Sequence, residues 1–280
     1  MDKKKRIRAG VVFGVILVVL LIGIFLTGGE GEEESIGFIM KDAVLHEHML
    51  VDLFGIMKVN PGFISAIVVT GIFLIFGLYV KFIAAPRFTK IPGKLQMLLE
   101  QAVEMFDSLA QSNSPHRNKF LGVYVFTAGA YIFVGTILEL FGIQVVTVSG
   151  ASMSLPAPLA DINGAIAMAL VSYAAIMSGG VASNGVKGIF LTLKEFSLPI
   201  SMSFRLFGAL LSGALVTELV YYYMAISFVL PVFVGFMFTL LHALIQAYVL
   251  TMLVSLFYGE VSEVHEPKEK APKAKKVKNA

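Results

Sequence analysis

The residues from about 196 to 257 are apolar almost without interruption, and the run holds one permanent positive charge, Arg205. A run of that length contains two segments of about 20 residues, each long enough to cross a bilayer. The guanidinium stays charged in any ordinary protein setting. Placing it near the middle of a bilayer costs roughly 2.5–3.5 kcal/mol on insertion scales. Either its long stem lets the head reach the interface, or the charge is there to meet an anion, an ion path or a voltage.

The rest of the chain fits the same setting. With 57% hydrophobic and 15% charged residues, a soluble domain would have too little polar surface. Spanning stretches occur at about 10–27, 63–85, 120–141, 162–182, 200–223 and 231–257. With the N-terminus in the cytoplasm, all of the 22 lysines and arginines fall inside except Lys41, Lys58 and Arg205. That asymmetry supports six crossings with both termini cytoplasmic. The first stretch also fits a cleaved secretory signal, because a basic start leads into a short apolar run and then Thr27-Gly28-Gly29. Both readings stand, and both termini are cytoplasmic only if the stretch is retained.

Residues 94–112 are different. Leu95, Leu98, Leu99, Ala102 and Phe106 share one side of a helix, with Gln96, Glu100, Glu104 and Asp107 on another. This predicts an amphipathic helix at the cytoplasmic interface, starting after Pro92-Gly93. The organisation read from the sequence therefore has four parts. An anchor or signal covers 1–29, an outside acidic and weakly amphipathic segment 30–62, a membrane domain 63–258, and a disordered Lys/Glu-rich tail 259–280. The fold class is an all-α polytopic membrane protein. It has about five to six transmembrane helices, the last two long and tilted, plus one interfacial helix.

Several chemistries find no residues to carry them. There is no cysteine, hence no thiol nucleophile or thiolate metal site. A net charge of +3 is too small to suggest nucleic acid as a partner. No phosphate-cradling glycine loop and no Ser-His-Asp set is present. His46 and His48 on a short segment make a poor metal pair, and no metal or cofactor is expected.

What remains is a set of polar groups at membrane depth, where each is a functional hypothesis by default. They are Glu139 near the end of the third stretch, Asp161 and Asn163 opening the fourth, Arg205 and Glu218 on the fifth, and His242 and Gln246 on the sixth. Carboxylates and histidines pass protons when burial and neighbours tune them. Thr239, His242 and Gln246 share one helix face, and Ser201, Arg205, Gly208 and Ser212 share another. With Ala209 and Gly213 beside it, the second stripe would let a neighbouring helix approach closely. A close-approach face carrying one arginine suggests a partner that supplies the anion; packing within the chain is the plain alternative.

Arg205-Leu206-Phe207-Gly208, with Pro199 and Ser201 before it, resembles the arginine motif of subunit a of F-type ATP synthases. The stretch from Ala243 to Leu253 resembles the family's last helix, including its glutamine, Gln246. Pro92-Gly93-Lys94-Leu95-Gln96 is similar to the start of its interfacial helix, and Ala160-Asp161-Ile162-Asn163 to the opening of its fourth span. Glu139-Leu140 falls where the family has an acidic residue. The motifs run in order across about 40–258.

The resemblance implies a non-catalytic stator subunit with two offset half-channels beside a rotating ring of c subunits. The ion is expected to be the proton. Arg205 would displace it from each ring carboxylate and block a direct leak, with Ser201, Gly208, Ala209 and Ser212 facing the ring and Gln246 near Arg205. Implied partners are the c ring, b-type peripheral stalk subunits, the rest of the synthase and the lipid bilayer. The implied location is an energy-transducing membrane, expected to be the bacterial plasma membrane. Two departures stand out. Ala209 replaces a common asparagine, and Ala214 and Thr239 replace the usual acid-or-histidine pair of the outer half-channel. Glu218 and His242 each lie about one turn away, on helices running in opposite directions, so a direct contact between them is not expected. Two other classes fit less well. A stand-alone transporter using Arg205 to bind an anionic substrate lacks an internal repeat, and an intramembrane enzyme lacks a nucleophile–base or metal set.

Overall fold

The computed structural model describes residues 50–53, 55, 57–116, 118–148, 150, 152–222 and 230–263, together with Val15 and Val18. The first spanning stretch, most of segment 30–62 and the tail beyond 263 lie outside the described residues.

The described chain is helical apart from two small hairpins. Helix α1 (Pro61–Tyr79) starts where the Asn60 side chain accepts a hydrogen bond from the Gly62 amide at 2.9 Å, with Pro61 in the first turn. It runs on through a wide turn, Val80–Ala84, and a tight one, Ala85–Arg87, as Pro86 ends the regular ladder. Helix α2 (Lys94–Asn113) covers the amphipathic stretch; Leu99, Ala102 and Phe106 of the apolar face are half-buried, while Leu95 and Leu98 are exposed. Helix α3 (Lys119–Leu138) closes on a short turn, Glu139–Phe141. Helix α4 (Ile162–Asn184) is capped by Asp161. Helices α5 (Val186–Lys194), α6 (Ser197–Tyr222) and α7 (Leu230–Ser262) follow.

Four stretches are long and apolar enough to cross a membrane: Pro61–Arg87, Lys119–Phe141, Ile162–Asn184 and Val232–Ser262. A fifth span arises if α5 and the first part of α6 are taken together across a bend of 52°. This is an all-α polytopic membrane protein. The sequence reading gave only the bounds of the fourth and fifth stretches and no element between them, where the structure has α5 and the bend. Gly185 turns the chain with φ at +58°, a backbone conformation glycine adopts without penalty. The α5 helix then folds back on α4. The hairpins β1–β2 (Val51–Leu53, Met57–Val59) and β3–β4 (Gln144–Val146, Ser152–Ser154) were also not foreseen. They sit at one end of the bundle, joined by a bond from the Val148 amide to the Leu50 carbonyl, 2.9 Å.

Helix α7 is the centre, packing on α3, α4 and α6. Its buried side carries Ala243, Ala247, Leu250, Val254 and Tyr258. Small residues bring the neighbours close: the Tyr258 ring occupies the space a side chain at Gly179 would need. At 33 residues α7 is about 50 Å long, more than the ~30 Å hydrocarbon core, so it must tilt. Helix α1 is peripheral: 11% of its spanning window is buried, against 39–44% for the other three.

The two ends of the bundle differ. One gathers the end of α1, the start of α3 and the ends of α4 and α7, where Asn184 donates to the Val261 and Glu263 carbonyls and His116 contacts Ser262 at 2.9 Å. Arg87, Lys90, Lys94, Lys119 and Lys187 lie on these segments, so we call it the basic end. The opposite end holds the hairpins, Glu139 and Asp161.

Candidate functional site

Helix α6 positions Arg205. Met202, Leu206 and Leu210 face inward and are buried, which turns the opposite face outward. On that face Ser201, Arg205, Gly208 and Ser212 are all exposed, and Ala209 is half-buried beside them. A side chain built at Gly208 would meet nothing within 4 Å. The stripe read from the sequence is thus an open surface of the molecule, without a helix of the described chain upon it. Next to it lies a shallow groove of about 280 Å³ along Gly208, Ser212 and Val216.

Behind Arg205 stands Gln246 of α7, with only 4% of its surface exposed. Its amide nitrogen donates to the Arg205 backbone carbonyl at 3.3 Å, a long hydrogen bond. Its amide oxygen is buried without a partner among the described residues. A buried orphan acceptor carries a desolvation penalty of about 1–3 kcal/mol unless something donates to it. Gln246 therefore keeps one unused acceptor within a turn of the only arginine on α6.

His242 sits one turn along α7, half-buried and stacked on Phe238 at 5.7 Å between ring centroids. Its Nδ1 comes to 3.2 Å of where a Cβ at Gly213 would stand, so the missing side chain at Gly213 admits the imidazole against α6. Sequence inspection singled out His242 but had no means of assigning Gly213 this part. Glu218 is five residues further along α6, about 7.5 Å by helical rise. Its side chain lies outside the described residues.

The remaining candidates gather at the end opposite the basic one. Asp161 accepts from the Asn163 amide at 3.2 Å and the Asn163 side chain at 3.3 Å, serving as the cap of α4. Both border a cavity of about 410 Å³ that also touches Phe63, Tyr131 and Pro158. Glu139 does not line it. Its carboxylate is half-buried and takes a hydrogen bond from the Ala157 backbone, on the loop that leads to Asp161. The same loop is tied to α1 by Ser65, whose hydroxyl donates to the Pro156 carbonyl at 2.6 Å. The structure therefore forms two groups, Arg205–Gln246–His242 at the α6–α7 crossing and Glu139–Asp161–Asn163 near the end. Among the described residues, no group of three or more His, Asp or Glu is placed to hold a metal ion.

The described residues thus define an all-α polytopic membrane protein with an exposed arginine on one helix and a buried amide behind it. Comparison with known proteins makes this particular: residues 63–259 match the family model described as ATP synthase A chain, and the chain belongs to that family. Over 214 residues it is 26% identical to ATP synthase subunit a of Aeromonas salmonicida, covering 65% of this chain and 80% of the relative. Over 197 residues it is 27% identical to ATP synthase subunit a of Haemophilus ducreyi, covering 60% and 74%.

Proposed function

We propose that this chain is the stator subunit that moves ions, expected to be protons, between the two sides of the membrane and the ring of c subunits. It is the non-catalytic membrane subunit of the synthase, held against the ring by b-type stalk subunits. Two offset half-channels serve the ring: one opens at the Glu139–Asp161 end and the other at the basic end, which faces the cytoplasm as the positive-inside rule requires. The observation that carries the reading is Arg205, exposed on a smooth face of small residues, with Gln246 behind it.

The physics follows from that placement. A ring carboxylate arrives from lipid carrying its ion. Beside a guanidinium the carboxylate is more stable charged, so the ion is released to the exit half-channel. A fixed cation between the half-channels also repels a cation that would cross directly. The transmembrane potential supplies ~2.3 kcal/mol per charge per 100 mV to drive the cycle. Glu139, Asp161, Asn163, Glu218 and His242 line the way in, with Glu218 expected to matter most.

The test is Arg205→Ala in the assembled complex. ATP-driven pumping and ion-driven ATP synthesis should both be lost, while ring and stalk subunits still co-purify. Pumping at the parent rate in correctly assembled complexes would refute the role of Arg205.

A further inference from the structure

The end of the first described span and the start of α2 enclose a cleft of about 400 Å³ at the basic end, in which Arg205 and Gln246 have no part. Its chemistry changes with depth. Tyr79 and Ile83 line it on the side of the span, and Arg87 and Lys94 line it where the chain leaves the span. Arg87 follows Tyr79 by eight residues, roughly 12 Å by helical rise. The cleft therefore has an apolar part toward the bilayer centre and a cationic part at the membrane edge.

The turn between the two cations is fixed by Gln96. Its amide oxygen accepts from the Thr89 backbone at 3.1 Å, and its nitrogen donates to the Thr89 carbonyl at 3.0 Å and to Glu100 at 2.8 Å. The Thr89 hydroxyl donates to the Ile91 carbonyl at 2.8 Å. These bonds fold residues 87–94 back on themselves and bring both cations to one cleft. No acid lines it. Among the described residues neither Arg87 nor Lys94 meets a carboxylate. Glu100, the first acid of α2, lines the neighbouring groove together with Glu104, Asp107 and Lys81. Lys90 is exposed on the turn and does not line the cleft.

We infer that the cleft binds one anionic phospholipid of the cytoplasmic leaflet, its phosphate between Arg87 and Lys94 and one acyl chain along Ile83 and Tyr79. Charge complementarity carries the choice. A guanidinium fork and an ammonium brought together without an acid match a phosphate oxyanion. Basic pockets on the cytoplasmic side of membrane helices recognise anionic headgroups in this way. The depth profile excludes other ligands: a neutral lipid would leave the cations unpaired, and a water-soluble anion would leave the apolar part unfilled. Ile91, 86% exposed, and the exposed Leu95 and Leu98 give the rim apolar surface suited to the bilayer interface. The inference needs α1 to span the membrane and depends on neither Arg205 nor the ion route.

The test uses assembled complexes in nanodiscs of phosphatidylcholine. Trace phosphatidylglycerol with a photoreactive group near the start of one acyl chain is added, and the labelled residues are mapped by mass spectrometry. Label is expected within 79–96, displaced by unlabelled phosphatidylglycerol but by neither phosphatidylcholine nor inorganic phosphate. Arg87→Ala/Lys94→Ala should lower this label by roughly tenfold, with label elsewhere on the chain and co-purification of the ring unchanged. Arg87→Lys/Lys94→Arg should retain most of it. Lys187→Ala, which removes a cation of the same end outside the cleft, should leave it at the parent level. Equal labelling by a phosphatidylcholine probe, displacement by inorganic phosphate, or full labelling of the alanine pair would each overturn the inference. So would label on another subunit in place of residues 79–96, since a protein would then cover the cleft. If the alanine pair does not assemble, the parent's selectivity for phosphatidylglycerol over phosphatidylcholine decides.

Discussion

At the scale of single residues, the arrangement around Arg205 separates two kinds of contribution. The backbone carbonyl of Arg205 is held by Gln246, while the side chain faces outward. Gln246→Leu removes one long neutral hydrogen bond, worth about 1 kcal/mol, and also removes the buried oxygen that has no partner. The two effects oppose each other. The melting temperature of the purified complex should therefore change little, while ion pumping falls, because the spare acceptor beside the arginine is gone. A large loss of thermal stability would show that Gln246 is there for packing. Arg205→Lys should fail nearly as badly as Arg205→Ala, since an ammonium lacks the planar fork and loses its proton when desolvated. Lysine complexes that pump at the parent rate would show that charge alone suffices.

At the scale of elements, the bend between α5 and α6 sets where Arg205 stands. Helix α5 lies on α4 through glycine against glycine: a side chain at Gly188 would collide with the Gly180 carbonyl. One further bond clamps the pair, Tyr173 hydroxyl to the Thr192 carbonyl at 2.8 Å, while the Thr192 hydroxyl donates within α5 to the Gly188 carbonyl at 2.9 Å. Overpacking such a contact costs about 1–3 kcal/mol and shifts backbone rather than side chain. Gly188→Val should lift α5 from α4 and lower the yield of assembled complex, measured by co-purification of ring subunits. Thr192→Ser, which keeps the hydroxyl, should leave that yield unchanged. Equal yields for Gly188→Val and the parent would show that the close approach is dispensable.

At the scale of the whole molecule, the two polar groups are far apart in sequence, and α1, α3, α4 and the loop at 155–161 build one of them together. In the proposed route the ion passes from the Glu139–Asp161 end to the α6–α7 crossing, with Glu218 the carboxylate of α6 and His242 the histidine of α7 on that side of Arg205. Glu139→Gln, Glu218→Gln and His242→Ala should each slow pumping, and the triple variant should slow it most. Should all of them pump normally between about pH 6 and 8, the ion reaches the ring without these side chains.

Much of this was legible in the amino-acid order. Hydropathy placed four of the described spans to within a few residues, except at the end of the last, which runs about five residues further. Period 3.6 placed α2, and lone polar residues in apolar runs marked the candidate site. These are local properties, since about 20 apolar residues have only one economical way to satisfy their backbone in lipid. Helix periodicity also put Ser201, Arg205, Gly208 and Ser212 on one stripe. It left open whether that stripe packs within the chain or faces outward, because small residues serve both. The packing of α6 against α4 and α7 decided that it faces outward. Only tertiary structure brought Gln246 to the Arg205 carbonyl and set His242 against Gly213. Each of these depends on the meeting of helices distant in sequence, and the crossing of two helices is decided by the fit of their surfaces.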